Sequence, residues 1–125
     1  MELTEAPRSN RPFVERYGIG GFRISGKQWR GSVLILTNRV TPWSSAIHLA
    51  TPQPLIDVLA ADGVEMLIVG FGDSNRLIPA FVRNSFKEAG LMLEGMDTGA
   101  ACRTYNLLAG ERSAVGALLA ALPER

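Results

Sequence analysis

Short runs of alternating apolar and polar residues, separated by glycines, fill the first third of the chain and are typical of β-strands. Residues 13–17 predict one strand, and residues 22–24 and 27–29 predict the two arms of a hairpin. Gly26 lies in the connection between the arms, and glycine accepts the positive φ that a two-residue turn requires. The apolar run of residues 32–36 predicts a further strand that is buried in the core.

From residue 51 onward, apolar residues recur at helical spacing, and the helical segments alternate with short apolar runs. Thr51, followed by two prolines, predicts the start of a first helix, which Gly63 ends. Residues 65–69 predict a central strand. A second helix is predicted to end at Gly90. Its apolar stripe consists of Leu77, Ile78, Phe81, Val82 and Phe86.

The last third of the chain predicts one more strand and two more helices. Residues 91–94 predict the strand, and Asp97 or Thr98 is predicted to cap a helix that runs to about Leu108. Ser113 is predicted to cap a final helix, because the apolar residues that follow it share one helical face. These residues are Val115, Leu118, Leu119 and Leu122.

The order of elements from residue 32 is strand, helix, strand, helix, strand, helix. This order predicts an α/β fold in which the three strands run parallel and are joined by right-handed crossovers. We therefore expect a compact three-layer domain with a partly parallel central sheet, to which the N-terminal antiparallel hairpin adds strands at one edge or as a second layer. Residues 1–12, which are polar and contain two prolines, predict a mobile tail, and residues 13–125 predict a single domain.

Composition narrows the class of protein. The chain has 125 residues and a net charge of +1, and its arginines are scattered, so no basic stripe predicts a nucleic-acid partner. One cysteine leaves no internal disulfide and indicates a reducing compartment. No apolar run reaches the roughly 18 residues of a membrane-spanning helix, and the first twelve residues lack a secretory signal. A cytoplasmic location without membrane insertion is expected.

Candidate chemistry gathers where the predicted parallel strands end, because ligands collect beyond the carboxyl ends of such strands. The exits carry Thr37 and Asn38, then residues 70–73, then residues 94–98, and all three are expected to open on one side. The segment 90–106 is the richest in polar groups. The candidate pocket consists of Gly70, Gly72, Asp73, Glu94, Asp97, Thr98, Cys102, Arg103, Tyr105 and Asn106.

Each chemical interpretation of this pocket has a structural alternative. The glycines at 70 and 72 suit either an anion near the next helix or a tight strand exit, and Asn75 breaks the dinucleotide-binding fingerprint. Cys102 lies in a first helical turn beside Arg103, which favours a reactive thiolate, but a small buried residue is the favoured alternative. The single histidine, His48, has no spacing relation to Cys102.

Metal and cofactor sites receive little support. One histidine and one cysteine cannot build a structural zinc site, and Glu94 with Asp97 provides fewer carboxylates than a hard cation usually gathers. Tyr105 and Asn106 are expected to hydrogen-bond a neighbouring loop rather than a ligand. No catalytic residue, metal or cofactor is therefore predicted.

Several of these segments resemble a small family of domains of unknown function that includes mitochondrial respiratory complex I assembly factor 3 and an adipogenesis-associated cytosolic protein. The resemblance covers roughly residues 11 to 122. It is carried by residues 17–24, Trp43, residues 70–72 and, most specifically, residues 94–98 and 101–106. It implies a compact three-layer α/β fold without an established catalytic activity and, for the mitochondrial members, a role in assembling a membrane enzyme through protein contacts.

Three hypotheses for function follow from the residues and the resemblance. The first is a non-enzymatic interaction or assembly factor whose partner is another protein. The second is a small-molecule or anion-binding domain, a degenerate enzyme with its pocket at the carboxyl edge of the sheet. The third is a thiol enzyme that uses Cys102. An edge strand in the N-terminal hairpin also leaves room for a homodimer.

Overall fold

A computed structural model describes residues 1, 3, 11–43, 51–111 and 114–123, which form three layers with a five-stranded sheet in the middle. Within these residues the strands are β1 (Val14–Gly18), β2 (Gly21–Ile24), β3 (Lys27–Arg30), β4 (Val33–Ile35), β5 (Val40–Pro42), β6 (Met66–Gly70), β7 (Met92–Met96) and β8 (Val115–Leu119). The helices are α1 (Gln53–Asp62), α2 (Ala80–Glu88) and α3 (Thr98–Ala109).

The central sheet is mixed and has the strand order β5-β4-β8-β6-β7. β6 pairs in parallel with β7 on one side and with β8 on the other, whereas β4 pairs antiparallel with both β8 and β5. The α/β fold with a partly parallel central sheet is thereby confirmed, together with the strands predicted at residues 65–69 and 91–94.

The prediction of a final helix is wrong, because residues 115–119 form β8 at the centre of the sheet. All five of these residues are buried, and a strand that is covered on both faces loses the alternation by which strands are recognised. Gly116 lets β4 approach closely, since a Cβ at this position would lie 2.8 Å from the carbonyl oxygen of Ile35. Ser113, the predicted cap, lies outside the described residues.

The direction predicted for residues 32–36 is also wrong. β4 runs antiparallel to β8, so the third parallel strand of the sheet is β8. Thr37 and Asn38 therefore lie at the edge opposite to the other two exits. There the amide of Thr37 donates to Oδ2 of Asp62, at the end of α1, over 2.7 Å. β5 was not predicted from the sequence.

Two apolar clusters fill the spaces on either side of the central sheet, which gives the three layers. On one side, α1 and α2 pack against alternate residues of the strands, such as Leu67 and Val69. On the other side, α3 and the sheet of β1, β2 and β3 pack against the intervening residues of the same strands, such as Ile68, which lies between Leu67 and Val69. The buried strands thus contribute side chains to both clusters, as expected for strands with two covered faces.

The N-terminal hairpin is confirmed, and with β1 it forms a separate three-stranded sheet. β2 pairs antiparallel with β1 and β3, and Ser25 (φ 48°) and Gly26 (φ 82°) make the two-residue turn. The mobile tail expected at residues 1–12 falls mostly on positions 2 and 4–10, outside the described residues. Of the others, Met1 accepts a hydrogen bond from the amide of Tyr17, and the amide of Leu3 donates to Glu15.

The helix boundaries differ slightly from the predicted ones. α1 begins after Pro52 without a side-chain cap, so Thr51 does not cap it. α2 begins after Pro79, and Leu77, which was predicted on its buried stripe, precedes the helix and is 98% exposed. Gly90 (φ 77°) follows the end of α2 in the left-handed conformation that glycine favours, as predicted.

Candidate functional site

The carboxyl ends of the three parallel strands meet at one edge of the central sheet, called the rim below. In the ladder, Gly70 at the end of β6 lies opposite Met96 of β7 and Leu119 of β8. The amide of Phe71 donates to Met96 over 2.9 Å, and the amide of Ala120 donates to Gly70 over 2.9 Å. Two of the three predicted exits, residues 70–73 and 94–98, therefore lie together. The third exit at this edge is that of β8 and not the predicted Thr37 and Asn38.

A single hydroxyl group connects the three exits. Oγ1 of Thr98, at the start of α3, accepts a hydrogen bond from the amide of Gly72 over 2.8 Å and donates one to the carbonyl of Ala120 over 2.6 Å. The amide of Thr98 also donates to the carbonyl of Gly72 over 2.8 Å. Thr98 is completely buried. Its side chain therefore fills hydrogen-bonding positions that a bound ligand would otherwise use.

Close packing around two glycines leaves little space beneath the rim. A Cβ on Gly70 would lie 3.0 Å from both Cα and Oγ1 of Thr98 and 3.1 Å from Cβ of Ala101. A Cβ on Gly99 would lie 2.6 Å from the hydroxyl oxygen of Tyr17, which reaches α3 from β1. Gly70 lets α3 approach β6, and Gly99 lets the N-terminal sheet approach α3. Both glycines therefore serve close packing.

The charged residues of the predicted pocket lie at the surface. Asp97 is half-buried and caps α3, since its Oδ1 accepts a hydrogen bond from the amide of Ala100 over 2.8 Å, in agreement with one of the two predicted caps. Asp73, Glu94 and Arg103 are exposed. Asp73 adjoins the rim, whereas Glu94 lies in the middle of β7, opposite Ile68.

Cys102 lies on the buried face of α3 and has no exposed surface. Burial raises the pKa of its thiol to about 12, and the nearby Arg103 charge lowers it by less. The thiol is therefore protonated at neutral pH, which contradicts the reactive thiolate and supports the structural alternative. His48, the histidine considered as its partner, lies outside the described residues.

Tyr105 and Asn106 face β1 and not the rim, as expected for residues that bind a neighbouring segment. The hydroxyl of Tyr105 donates to the carbonyl of Pro12 over 2.8 Å, and burial raises the pKa of Tyr105 to about 12. Asn106 pairs with the backbone of Val14, accepting from its amide at 3.0 Å and donating to its carbonyl at 2.9 Å. Both side chains therefore attach the start of β1 to α3.

Among the residues that the structure describes, no group of three or more His, Cys, Asp or Glu side chains is placed to hold a metal ion. The polar residues of the predicted pocket fall into three roles instead. Thr98 closes the rim, Asp97 caps α3, and Tyr105 with Asn106 holds β1.

A surface that the sequence did not indicate lies at the outer strand of the sheet, beside α3. Met66 and Met92 are direct partners in the ladder, and the hydroxyl of Thr104 lies 3.4 Å from the sulfur of Met96. Met92 is 53% exposed, and Leu107, three residues after Thr104 on α3, is 57% exposed. We call Met66, Met92, Met96 and Leu107 the methionine patch. The sequence signal for this patch is the even spacing of Met92 and Met96, which places both side chains on one face of a strand. Only the strand order shows that β7 is an outer strand of the sheet.

The backbone of β7 is open on the side away from β6. The amide of Met92 donates to Glu65, and the carbonyl of Met96 accepts from Phe71, so the even-numbered residues of β7 face β6. Because backbone groups alternate along a strand, those of Leu93 and Gly95 face outward. β7, with the sequence Met-Leu-Glu-Gly-Met, contains no lysine, and Nη1 of Arg83 donates a hydrogen bond to the carbonyl of Leu93 over 3.4 Å.

Within the described part of the chain, no helix is long and apolar enough to cross a membrane. Comparison with known proteins gives one relative in Rhodobacter capsulatus, an uncharacterized protein that is 34% identical over 110 residues, covering 88% of this chain and 85% of that protein. Human NADH dehydrogenase (ubiquinone) 1 alpha subcomplex assembly factor 3 is 26% identical over 121 residues, covering 95% of this chain and 66% of that protein.

Among solved structures, one described as an outer membrane protein from Bartonella henselae superimposes with a TM-score of 0.77 and 32% identity, covering 90% of this chain and 96% of that chain. The model of the family described as "Protein of unknown function (DUF498/DUF598)" matches residues 14–120, which run from the start of β1 to one residue beyond β8. The chain therefore belongs to this DUF498/DUF598 family.

Proposed function

We propose that the protein is a non-enzymatic interaction factor that binds an extended segment of another protein along β7. The observation that carries this proposal is the coincidence of an open strand edge with the methionine patch. The amides of Leu93 and Gly95 and the carbonyl of Gly95 face away from β6 and are complementary to another β-strand. Met92 and Leu107 provide apolar contacts beside that edge, and methionine adapts to different partner side chains.

Two further observations support binding over catalysis. The rim, where ligands of parallel sheets usually collect, is occupied by the Thr98 side chain and its hydrogen bonds. The thiol of Cys102 is buried and protonated at neutral pH. The human relative named as an assembly factor of NADH dehydrogenase supports a protein as the partner, which we expect this chain to meet in the cytoplasm.

The other outer strand of the central sheet is less suited to strand addition. β5 is three residues long and ends at Pro42, which has no amide hydrogen to donate. Such short, proline-containing edges are typical of edges that natural proteins protect. β7 has five residues and ends without proline, so we assign the partner to this strand.

The experiment compares immobilised wild-type protein with two lysine variants as bait for a lysate of the organism of origin. Met92→Lys places a charge in the patch, and Phe81→Lys is the matched control, because Phe81 is also 53% exposed but lies on α2, on the opposite face of the sheet. We expect Met92→Lys to reduce capture of one defined protein by about tenfold, while Phe81→Lys leaves it unchanged.

The recovered partner is then tested with the purified components by amide hydrogen exchange. Protection of Leu93 and Gly95 on binding supports strand addition. Equal loss of capture in both variants, or protection confined to α2, would contradict the proposal. Size-exclusion chromatography of the chain alone tests whether a second copy of the chain binds along β7. A dimer that Met92→Lys dissociates would show that the bound partner is this chain and not another protein.

A further inference from the structure

Glu94 lies in the middle of β7, between Met92 and Met96. Side chains two residues apart on a strand point to the same face, so the Glu94 carboxylate projects on the side of α3, together with the methionine patch. Glu94 is exposed, and within the described residues its carboxylate makes no hydrogen bond or ion pair. The open edge of β7 therefore presents a negative charge between two apolar side chains.

This charge opposes the pairing of β7 with the same strand of a second copy. Two copies that pair antiparallel about a two-fold axis can set Met92 opposite Met96, and this register also sets Glu94 opposite Glu94. Like charges directly opposite each other destabilise a sheet, whereas opposite charges in this position stabilise it. The edge is thus better suited to a strand with a basic residue at this position than to a second copy of itself.

The other face of the same edge carries a positive charge. Nη1 of Arg83, on α2, donates a hydrogen bond to the carbonyl of Leu93 over 3.4 Å. Leu93 packs into the apolar cluster beneath α1 and α2, so Arg83 and Glu94 lie on opposite faces of the sheet. Successive side chains of an added strand point alternately to these two faces. A basic residue that pairs with Glu94 would meet Arg83 if the strand shifted by one residue, and this repulsion fixes the register.

We propose that the segment bound along β7 carries a lysine or arginine opposite Glu94, between two apolar residues that face Met92 and Met96. This inference rests on the docking edge proposed above and names the class of segment that the edge selects. The pattern is apolar, any residue, basic, any residue, apolar. Because it reads the same in both directions, it applies to a parallel and to an antiparallel strand.

The charge of Glu94 contributes selectivity more than affinity. Exposed ion pairs stabilise a complex only weakly, because water screens them and both side chains lose freedom. The main-chain hydrogen bonds of strand addition are available to any extended segment and supply most of the affinity. Replacing the basic residue of the segment by an acidic one exchanges attraction for repulsion. We expect this change to raise the dissociation constant by roughly fivefold.

Three synthetic peptides with blocked ends test the pattern by titration of the ¹⁵N-labelled protein. The first, Ser-Val-Thr-Lys-Thr-Val-Ser, sets lysine between two valines on one face of a strand. The second, Ser-Val-Lys-Thr-Thr-Val-Ser, has the same composition, but its lysine points to the opposite face. The third replaces the lysine of the first by glutamate.

We expect the amide signals of Leu93 and Gly95 to shift on addition of the first peptide, because these amides face the added strand. The dissociation constant of the first peptide is expected to be roughly threefold lower than that of the second and roughly fivefold lower than that of the third. The comparison with the second peptide separates the position of the charge from its sign, since both peptides have the same net charge.

Charge variants of the protein assign the selectivity to Glu94. Glu94→Gln is expected to remove the preference between the lysine and glutamate peptides, and Glu94→Lys is expected to reverse it. Asp57→Asn, which removes one negative charge from the exposed surface of α1, is the matched control and should keep the wild-type preference. Thermal unfolding checks that each variant is folded.

The outcomes separate this inference from the docking edge itself. If all three peptides shift the signals of Leu93 and Gly95 with equal dissociation constants, the charge pattern is wrong, although β7 still binds strands. If none of the peptides shifts these signals, both the charge pattern and docking along β7 are contradicted. A preference that persists in Glu94→Gln would overturn the assignment to Glu94.

Discussion

The hydroxyl of Thr98 and the amide of Gly72 lie 2.8 Å apart, and this hydrogen bond joins the start of α3 to the exit of β6. The same hydroxyl donates to Ala120 beyond β8. One side chain thus fixes the relative positions of three parallel strands at the edge where α/β proteins usually bind ligands. In this chain that edge is closed by the fold itself, and the proposed binding surface lies at the outer strand β7.

Replacing Thr98 by valine keeps its shape but removes the hydroxyl. The amide of Gly72 and the carbonyl of Ala120 then remain buried without this partner, and each such loss costs about 1–3 kcal/mol. We expect the free energy of unfolding of Thr98→Val to fall by about 2–4 kcal/mol in urea denaturation. Thr98→Ser keeps the hydroxyl and is expected to lose about 1 kcal/mol. Equal stability of the valine variant and the wild type would show that the bonds have no net effect.

Gly99→Ala tests the contact between α3 and β1. Alanine gains about 1 kcal/mol over glycine in helix propensity, but the new Cβ would lie 2.6 Å from the hydroxyl oxygen of Tyr17. Overpacking of this kind costs about 1–3 kcal/mol, so we expect a net loss of stability. Tyr17→Phe removes the clashing atom, and the double variant is expected to be less destabilised than the sum of the two single variants. Strict additivity in this cycle would contradict the contact.

Cys102 is expected to resist alkylation by iodoacetamide at pH 8 in the folded protein and to react once urea unfolds the chain. Burial holds its pKa at about 12, so very little thiolate is present at that pH, and the side chain has no exposed surface. A mass-spectrometric time course measures the modification. Rapid reaction at pH 8 without unfolding would revive the thiol-enzyme hypothesis.

The same burial predicts a loss of stability at alkaline pH. The folded pKa of Cys102, about 12, lies above the ordinary thiol value of 9.0, so above pH 9 the unfolded chain releases this proton more readily. The stabilisation is complete below pH 9 and decreases as the pH rises toward 12. Between pH 9 and 10 we expect the free energy of unfolding to fall by about 1 kcal/mol from this group. Cys102→Ala should lack this part of the decrease, and an identical pH dependence in both proteins would contradict the assignment.

Asn106→Ala tests how β1 is attached to α3. The amide side chain makes two hydrogen bonds to the backbone of Val14, and its removal leaves partly buried main-chain groups unpaired. We expect a loss of about 1–3 kcal/mol in the free energy of unfolding. Asn84→Ala, at an exposed position of α2, is the matched control and should change stability little. A similar effect of both variants would mean that the Val14 contacts contribute nothing.

Local sequence patterns predicted those elements whose signals are local. The turn at Gly26, the helix-ending Gly90 and the buried pair Val82 and Phe86 of α2 each act within a few residues, and the structure contains the corresponding elements. β8 was mistaken for a helix because both of its faces are buried, which removes the alternation of a strand. The direction of β4 depends on its pairing with β8, so the second error followed from the first.

Part of the candidate site could be predicted from the sequence. Gly72 and Thr98 are brought together, since both follow neighbouring parallel strands. The sequence did not show that the Thr98 hydroxyl would also reach Ala120, because that partner follows the strand that was mistaken for a helix. The open edge of β7 depends on strand order, which residue patterns alone do not determine.

Site-specific photo-crosslinking in cells of the organism of origin tests the proposed docking surface most directly. A photoreactive amino acid replaces Met92 in one variant and Phe81, which is equally exposed on the opposite face, in the other. We predict that irradiation gives a discrete adduct with one other protein from position 92 and none from position 81. An adduct from position 81 alone, or no adduct from position 92, would contradict binding along β7.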